Sequence, residues 1–276
     1  MSTQQGTILL TGVTGLVGAR LLPRLVAAGL DCRVLVRQQQ DVPVGVSAVV
    51  GDLFDPPRLV EAVQGVSTIM HLAAVFRTPD TDLIWRSNLE GTRNLLAAVQ
   101  AHAPAARFIL ASTSNVYSKD QVQPSREQDV VEPAQAYPAS KVASEQALRA
   151  SGLNGVVLRF PFVYGDGDGH LEALPQYARA GNWHPAMRMS TIHHRDIATA
   201  MHLALTGVLD GRLVNIADEA PTSIYELAQL VDQPLESSAE PLTNPWYLLS
   251  DSSLARSLGF QPVVRTVYQA VQEGLM

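Results

Sequence analysis

Two residues four apart, Tyr137 and Lys141, and three glycines three apart, Gly12, Gly15 and Gly18, have types and spacing that could do chemistry. On a helix, four-residue spacing puts Tyr137 and Lys141 on one face, a turn apart. A free phenol titrates near ~10, too high for ready proton exchange at neutral pH; a neighbouring ammonium stabilises the phenolate and lowers that value. Tyr-x-x-x-Lys also arises often by chance, so its weight depends on what surrounds it. The glycines lie in Ile8-Leu9-Leu10-Thr11-Gly12-Val13-Thr14-Gly15-Leu16-Val17-Gly18, an apolar run that gives way at once to a helical pattern, Leu21, Leu22, Leu25 and Val26. That reads as a buried strand, a tight turn and a helix whose first N–H groups attract an anion. Gly12 permits the turn, Gly15 lets the backbone approach a pyrophosphate, and Gly18 lets helix and strand pack closely. The triplet in isolation is equally compatible with a plain turn. A third feature is the hydroxyl run Ala111-Ser112-Thr113-Ser114-Asn115-Val116-Tyr117, where another apolar stretch ends.

Strands and helices alternate around these residues. Cys32–Val36, Ala48–Val50, Thr68–Leu72, Arg107–Ala111 and Gly155–Phe160 read as further strands. Leu59–Gln64, Ile84–Ala101 and Tyr137–Ala150 read as helices. Such alternation predicts a parallel sheet covered on both faces, hence an α/β, doubly wound Rossmann-type fold. Ligands of such sheets sit at the carboxyl ends of the strands, so the residues just after each strand matter most. Arg37 follows the second strand, where an acid would bind ribose hydroxyls and a cation accommodates a 2′-phosphate; this favours NADP(H) over NAD(H), although a solvated loop arginine is common. Gly51-Asp52-Leu53 offers a carboxylate that either meets an adenine amino group or caps the helix before Pro56-Pro57. His71-Leu72-Ala73-Ala74 supplies small residues on which a flat cofactor can lie.

Composition sets bounds. With 20 Lys and Arg against 26 Asp and Glu the net charge is −6, without a basic run, which disfavours nucleic acid and anionic membrane surfaces. The single cysteine, Cys32, cannot form an internal disulfide and points to a reducing, cytoplasmic setting. No leader pattern and no apolar stretch approaching ~18 residues is found, so neither secretion nor membrane spanning is expected. The seven histidines, His193 and His194 among them, lack metal-ligand spacing, so no metal is expected. Ser112 and Ser114 have no Gly-x-Ser-x-Gly elbow, which argues against a serine hydrolase. Arg195–Asp196 reads as structural.

Taken together, Thr11-Gly12-x-x-Gly15-x-x-Gly18, Gly51-Asp52-Leu53, His71-Leu72-Ala73-Ala74, Asn88-x-x-Gly91-Thr92-x-Asn94-Leu95-Leu96, Tyr137-x-x-x-Lys141, Leu158-Arg159-x-x-x-Val163-Tyr164-Gly165, Ile192-His193-x-x-Asp196-Ile197-Ala198, Asp251–Ala255 and Leu258-Gly259-Phe260-x-Pro262 resemble the extended short-chain dehydrogenases/reductases, the NAD(P)-dependent epimerase/dehydratase group. The resemblance spans nearly the whole chain. It implies Thr113, Tyr137 and Lys141 as catalytic residues, with Tyr137 as acid/base, Lys141 lowering its pKa and holding the nicotinamide ribose, and Thr113 fixing the substrate oxygen. It implies cofactor contacts from Gly12, Thr14, Gly15, Leu16, Val17, Gly18, Arg37, Asp52, Leu53, Leu72, Ala73, Ala74, Asn88, Pro161 and Val163, and substrate contacts from Phe76, Ser114 and Phe162. It also implies a dinucleotide-binding domain over residues 1–165, joined again by 187–217, a small carboxyl-terminal substrate lobe from 166–186 and 218–276, and a homodimer formed through the helices Ile84–Ala101 and Tyr137–Ala150.

Departures from the family pattern narrow the reaction. Ser114 and Asn115 stand where sugar dehydratases carry Asp-Glu, and neither can serve as a carboxyl acid or base. Cys32 lies on the second strand, away from the place used by epimerase–reductases. Phe162 replaces an asparagine of sugar-nucleotide enzymes, and Gly165–Thr191 is short. Trp183, His184, Met187 and Met189 suit either a compact apolar pocket or the core of the satellite. The expectation is an NADP(H)-preferring oxidoreductase acting on a small carbonyl or secondary alcohol. A 4-epimerase using the same three residues is the alternative, and a non-catalytic dinucleotide sensor a third.

Overall fold

The computed structural model describes residues 6–276. The chain divides into two compact units, one made of residues up to Ser112 with Pro133–Leu158 and Ala204–Leu213, the other of Thr113–Glu132, Arg159–Leu203 and Val214–Met276.

Most of the residues of a seven-stranded sheet lie in the first unit. The strands of the sheet are β1 (Ile8–Thr11), β2 (Cys32–Val36), β3 (Ser47–Val50), β4 (Thr68–His71), β5 (Arg107–Thr113), β6 (Asn154–Phe160) and β10 (Leu213–Asn215), in the order β10-β6-β5-β4-β1-β2-β3. β1 pairs in parallel with both β2 and β4, so the strand order reverses direction at β1, and the glycine turn follows that strand. This is the crevice at which doubly wound sheets bind ligands. The expected α/β Rossmann-type architecture is therefore observed. β1, β2 and β4 are almost wholly buried, as strands covered on both faces must be. Helices α2 (Pro56–Val63), α4 (Gly91–His102) and α5 (Ala136–Ala150) pack on one another and share a core with the sheet in which Leu59, Leu95, Val99, Phe108 and Leu148 are buried.

The helix expected from Ile84 starts earlier and is not uniform. Asp80 caps α3 (Thr81–Trp85) by accepting the Leu83 N–H at 2.9 Å, and a π-helical turn, Arg86–Glu90, joins α3 to α4. Similarly α2 begins at Pro56, because Asp55 accepts the Arg58 N–H at 3.2 Å and the two prolines occupy positions that need no donor.

In the second unit β7 (Phe162–Tyr164) pairs in parallel with β9 (Thr191–His193), and β8 (Arg188–Met189) pairs antiparallel with β11 (Thr222–Ser223). Helices α6 (His170–Ala180) and α8 (Ile224–Leu230) pack together, the latter started by a capping box between Ser223 and Glu226. Their core holds Tyr164, Leu171, Leu174, Ile224, Leu227 and Val267, and Met187, Met189 and Trp183 join it. Of the two roles open to those last three from sequence, the core is the one the fold uses. Helices α7 (His194–Leu205), α9 (Ser253–Ser257) and α10 (Val267–Gln272) complete the chain. Among the described residues no helix is long and apolar enough to cross a membrane.

Candidate active site

The glycine turn and the helix that carries Tyr137 and Lys141 both belong to the first unit. Gly12 has φ +76°, and a Cβ there would lie 2.5 Å from the Ala73 amide nitrogen, so the turn and the segment after β4 approach to backbone contact. A Cβ on Gly18 would lie 2.2 Å from the Gly12 carbonyl oxygen, which fixes α1 (Gly18–Ala27) directly against the turn. A Cβ on Gly15 would meet only the Gly12 oxygen, at 3.3 Å, with open space beyond it. Among the described residues the N–H groups of Leu16, Val17 and Gly18 donate to no backbone acceptor, and no side chain caps α1. A diphosphate bridge fits this arrangement: unpaired donors at a helix start, with a cradle that a side chain at position 15 would fill. Thr14 lies inside the same turn.

Behind the turn runs a chain of hydrogen bonds that the sequence did not announce. The Ala73 N–H donates to Thr11 Oγ1 at 3.4 Å, and Thr11 Oγ1 lies 2.6 Å from His71 Nδ1. His71 Nε2 lies 2.9 Å from Thr92 Oγ1, and Thr92 donates to the Asn88 carbonyl at 2.5 Å. With Thr92 donating onward, its oxygen accepts from Nε2–H, so Nδ1 accepts from Thr11, and every hydroxyl donates once in one direction. Burial drives the His71 imidazole down to about 3, so the ring is neutral as this chain requires. Asn88 extends the network. Its side chain accepts the Val75 N–H at 2.7 Å and donates to the Val75 carbonyl and to Ser140 Oγ, each at 3.0 Å. Ser140 in turn donates to the Tyr137 carbonyl at 2.7 Å. Asn88 thus holds the Leu72-Ala73-Ala74 segment against the start of α5. Gly91 and Asn94 act beside it: a Cβ at Gly91 would press on Leu53, and Asn94 Nδ2 donates to the Leu53 carbonyl at 2.9 Å.

Tyr137 and Lys141 lie on α5, one turn apart. Tyr137 is partly exposed, its ring 5.5 Å from that of Phe76, and the Arg77 guanidinium covers Phe76 at 4.8 Å. Burial of its hydroxyl pushes the Tyr137 phenol up to about 12. This value belongs to the site without its nicotinamide, whose positive ring is part of the lowering expected for the phenol. Lys141 is 2% exposed. Burial lowers its ammonium to about 8, while the Glu145 carboxylate, a further turn along the helix, raises it. Glu145 is buried too, and accepts a short hydrogen bond from Ser112 Oγ on β5.

Arg37, Val50, Gly51, Asp52, Phe54, Asp55, Pro56 and Arg58 line a concavity of about 630 Å³ beyond β2 and β3. Arg58 lies over Gly51, where a Cβ would meet its own Cβ at 2.5 Å, and it pairs with Glu61 at 2.7 Å. Asp52 Oδ1 accepts the Phe54 N–H at 2.7 Å, shaping the loop, and Asp55 rather than Asp52 caps α2. Arg58 was missed from the sequence; its place in the first turn after Pro56-Pro57, facing the strand end, is the signal.

The remaining expected residues belong to the second unit. Thr113 ends β5, and its Oγ1 accepts the Asn115 N–H at 3.2 Å, which leaves its own proton to donate. Ser114 is buried in the turn that follows. Pro161 precedes β7; Phe162 and Val163 are in it. The Phe162 ring stacks on His170 at 4.1 Å. His194 Nε2 lies 2.7 Å from Asp168 Oδ2, and His193 bonds the Leu275 carbonyl, so the adjacent histidines diverge. No group of residues that could hold a metal is found among the described residues.

The NAD dependent epimerase/dehydratase family model matches residues 8–217. The chain is 32% identical to the ceramide reductase of Caulobacter vibrioides over 71% of its length, spanning 60% of that protein. It is 30% identical to a 4-hydroxy-2-methyl-3-oxo-4-farnesyl-3,4-dihydroquinoline-1-oxide ketoreductase of Stigmatella aurantiaca, covering 80% of this chain and 71% of the relative. A short-chain dehydrogenase/reductase superfamily protein of Agrobacterium tumefaciens, solved with bound NAD, superposes with a TM-score of 0.80 at 25% identity, covering 97% of this chain and 95% of that one. The chain belongs to the NAD dependent epimerase/dehydratase family, within the extended short-chain dehydrogenases/reductases, and is an enzyme of that nicotinamide-dependent group.

Proposed function

We propose that this enzyme is an NADP(H)-preferring reductase of a carbonyl compound, or a dehydrogenase of the corresponding secondary alcohol. The observation that carries the reading is the placement of Tyr137 and Lys141 one turn apart on α5, the tyrosine partly exposed and the lysine buried. Reduction of a ketone needs a proton delivered to the oxygen as hydride reaches the carbon. The nicotinamide, when bound, supplies that hydride. The chain's own part is to bind and to move the proton. Tyr137 donates to the substrate oxygen, Lys141 stabilises the phenolate left behind, and Thr113 is the hydroxyl proposed to orient that oxygen. Phe76 and Phe162 offer apolar surfaces, which suits a substrate without a sugar nucleotide. The two relatives named as reductases, one acting on a ceramide and one on a farnesylated quinoline, support a ketone with an apolar body.

Arg37 and Arg58 in one concavity support a 2′-phosphate and hence NADP(H). Residues 166–186 and 218–276 are proposed to bind substrate. The single cysteine supports a cytoplasmic setting, and the family resemblance supports a homodimer through α4 and α5.

The test is consumption of NADPH or NADH against a panel of ketones, with Tyr137→Phe as the control. The expected result is turnover faster with NADPH, and loss of turnover with retained NADPH binding in Tyr137→Phe. Unchanged turnover in that variant would sink the mechanism. Stoichiometric NAD(H) released on denaturing the purified protein would instead favour a 4-epimerase, which must keep its cofactor through a whole redox cycle.

A further inference from the structure

One buried acid in the first unit is not used by the mechanism above. Glu145 stands one helical turn beyond Lys141 on α5, as Lys141 stands one turn beyond Tyr137, so the three share one face. Lys141 and Glu145 are 2% and 7% exposed. A charge of either sign left alone at such depth is costly, and pairing is what makes it tolerable. Glu145 is fixed from outside the helix by the Ser112 hydroxyl, one residue before Thr113 on β5.

We propose that Glu145, anchored by Ser112, is a positioning residue: it is the counter-ion that holds the Lys141 ammonium in its charged form and in register with Tyr137. The groups that face this pair come from three elements around it. From β4 comes His71, neutral between two threonines; from the helix after β4, the uncharged Asn88; from α5 itself, Ser140, Ser144 and the protonated Tyr137. Glu145 is the only one of these that supplies a negative charge. Burial lowers Lys141 and Glu145 raises it, so the carboxylate decides whether the lysine stays an ammonium through neutral pH. Ser112 orients the carboxylate: its hydroxyl donates to Oε1, which prevents the side chain from rotating away from Lys141. This inference rests on Lys141 as the partner of Tyr137, but it concerns the state of the lysine and not the identity of the substrate.

The chain makes the experiment direct, because Lys119 and Lys141 are its only lysines. The full-length protein is labelled with ¹³Cε-lysine, and the two side-chain signals are followed through a pH titration by NMR. Lys119 is the internal control. In Glu145→Gln, which keeps the shape and a hydrogen-bonding oxygen, the Lys141 midpoint is expected to fall by about one unit or more while Lys119 stays put. Glu145→Asp should recover part of that shift. Ser112→Ala retains the charge and loses only the anchor, so it should show a smaller fall in the same direction. It also serves as the deciding variant if Glu145→Gln does not fold. The alkaline limit of the rate of NADPH oxidation should move with the same midpoint. A Lys141 midpoint unchanged within a few tenths in the folded variants overturns the proposal. That outcome is separate from failure of the reductase assignment, which is read by Tyr137→Phe and leaves the titration unaffected.

Discussion

Replacing Gly18 by alanine should separate packing from cofactor binding when set beside the same change at Gly15. The Cβ at position 18 would lie 2.2 Å from the Gly12 oxygen, 2.6 Å from the Val13 Cα and 2.8 Å from the Gly12 carbonyl carbon. All three are backbone atoms in a turn already pressed against Ala73, so no side chain can swing aside. Relief requires α1 to move outward by roughly 1 Å, given ordinary contacts of about 3.5 Å between carbons. Overpacking of this kind costs about 1–3 kcal/mol, and immovable neighbours put it at the upper end. Alanine returns about 1 kcal/mol through its higher helix propensity. The net expectation is a loss of about 2 kcal/mol, which for a chain of this size lowers Tm by roughly 4–8 °C. Gly15→Ala meets a single atom at 3.3 Å, a contact that small adjustments absorb, so its stability should stay within about 0.5 kcal/mol of the parent. Yet the new methyl stands where a pyrophosphate would approach, and NADPH affinity should fall at least about tenfold, or 1.4 kcal/mol. Differential scanning calorimetry and NADPH fluorescence titration read the two effects independently. Gly18→Ala at the parental Tm, or Gly15→Ala as unstable as Gly18→Ala, would refute the division of labour argued from these contacts.

Other outcomes follow from the same structure. Arg37→Ala and Arg58→Ala should each raise the KM for NADPH while leaving that for NADH within about twofold, since a lost phosphate contact is absent from the second cofactor; equal effects on both would remove the argument for a 2′-phosphate. In the second unit, burial pushes Asp218 up to about 7. Its folded pKa lies above the unfolded value, so the stability it contributes is full below about pH 4 and is lost as pH rises through 7. Asp218→Asn keeps an oxygen for the Ala220 N–H and presents an NH2 to Thr191, whose hydroxyl oxygen can accept from it, so the change should raise Tm at pH 8 more than at pH 5; an equal change at both pH values would show that Asp218 does not titrate in that window.

The glycine turn, the strand ends and the Tyr137/Lys141 face were legible in the sequence because each is a local pattern. Strand β1 needs its apolar run, α1 its amphipathic period and α5 its four-residue spacing, and none depends on a distant partner. Glu145 was not legible, because its anchor Ser112 is 33 residues away and a single acid on an exposed-looking helix carries no sign of burial. His71 is a similar case: its neutrality and tautomer follow from Thr11 and Thr92, 60 and 21 residues away. Asn88, Gly91, Thr92 and Asn94 could be quoted as a motif, yet what they do emerged only from the fold, where they hold Val75, Leu53 and His71 in place. Tyr137 shows the converse. Its partner is readable as a neighbour on the helix, but the burial that pushes the phenol up in the cofactor-free chain is not reported by spacing. The π turn escaped because apolar periodicity tolerates one additional residue.

That turn has a consequence for how the helix is phased. A π turn accommodates one residue more than the α pitch takes, and each residue of an α-helix advances by about 100°. Asn88 and Thr92, both buried, point inward as a continuation of α4, whereas α3 begins at a cap set by Asp80 on a separate loop. Arg86–Glu90 takes up the mismatch between these two fixed ends. Deleting one residue there would yield a more regular helix with better hydrogen bonds, yet one end would be rotated out of step. Either α3 would leave its cap, or Asn88 would release Val75 and Ser140. The extra residue acts as a rotational spacer that lets two independently anchored ends share one continuous rod.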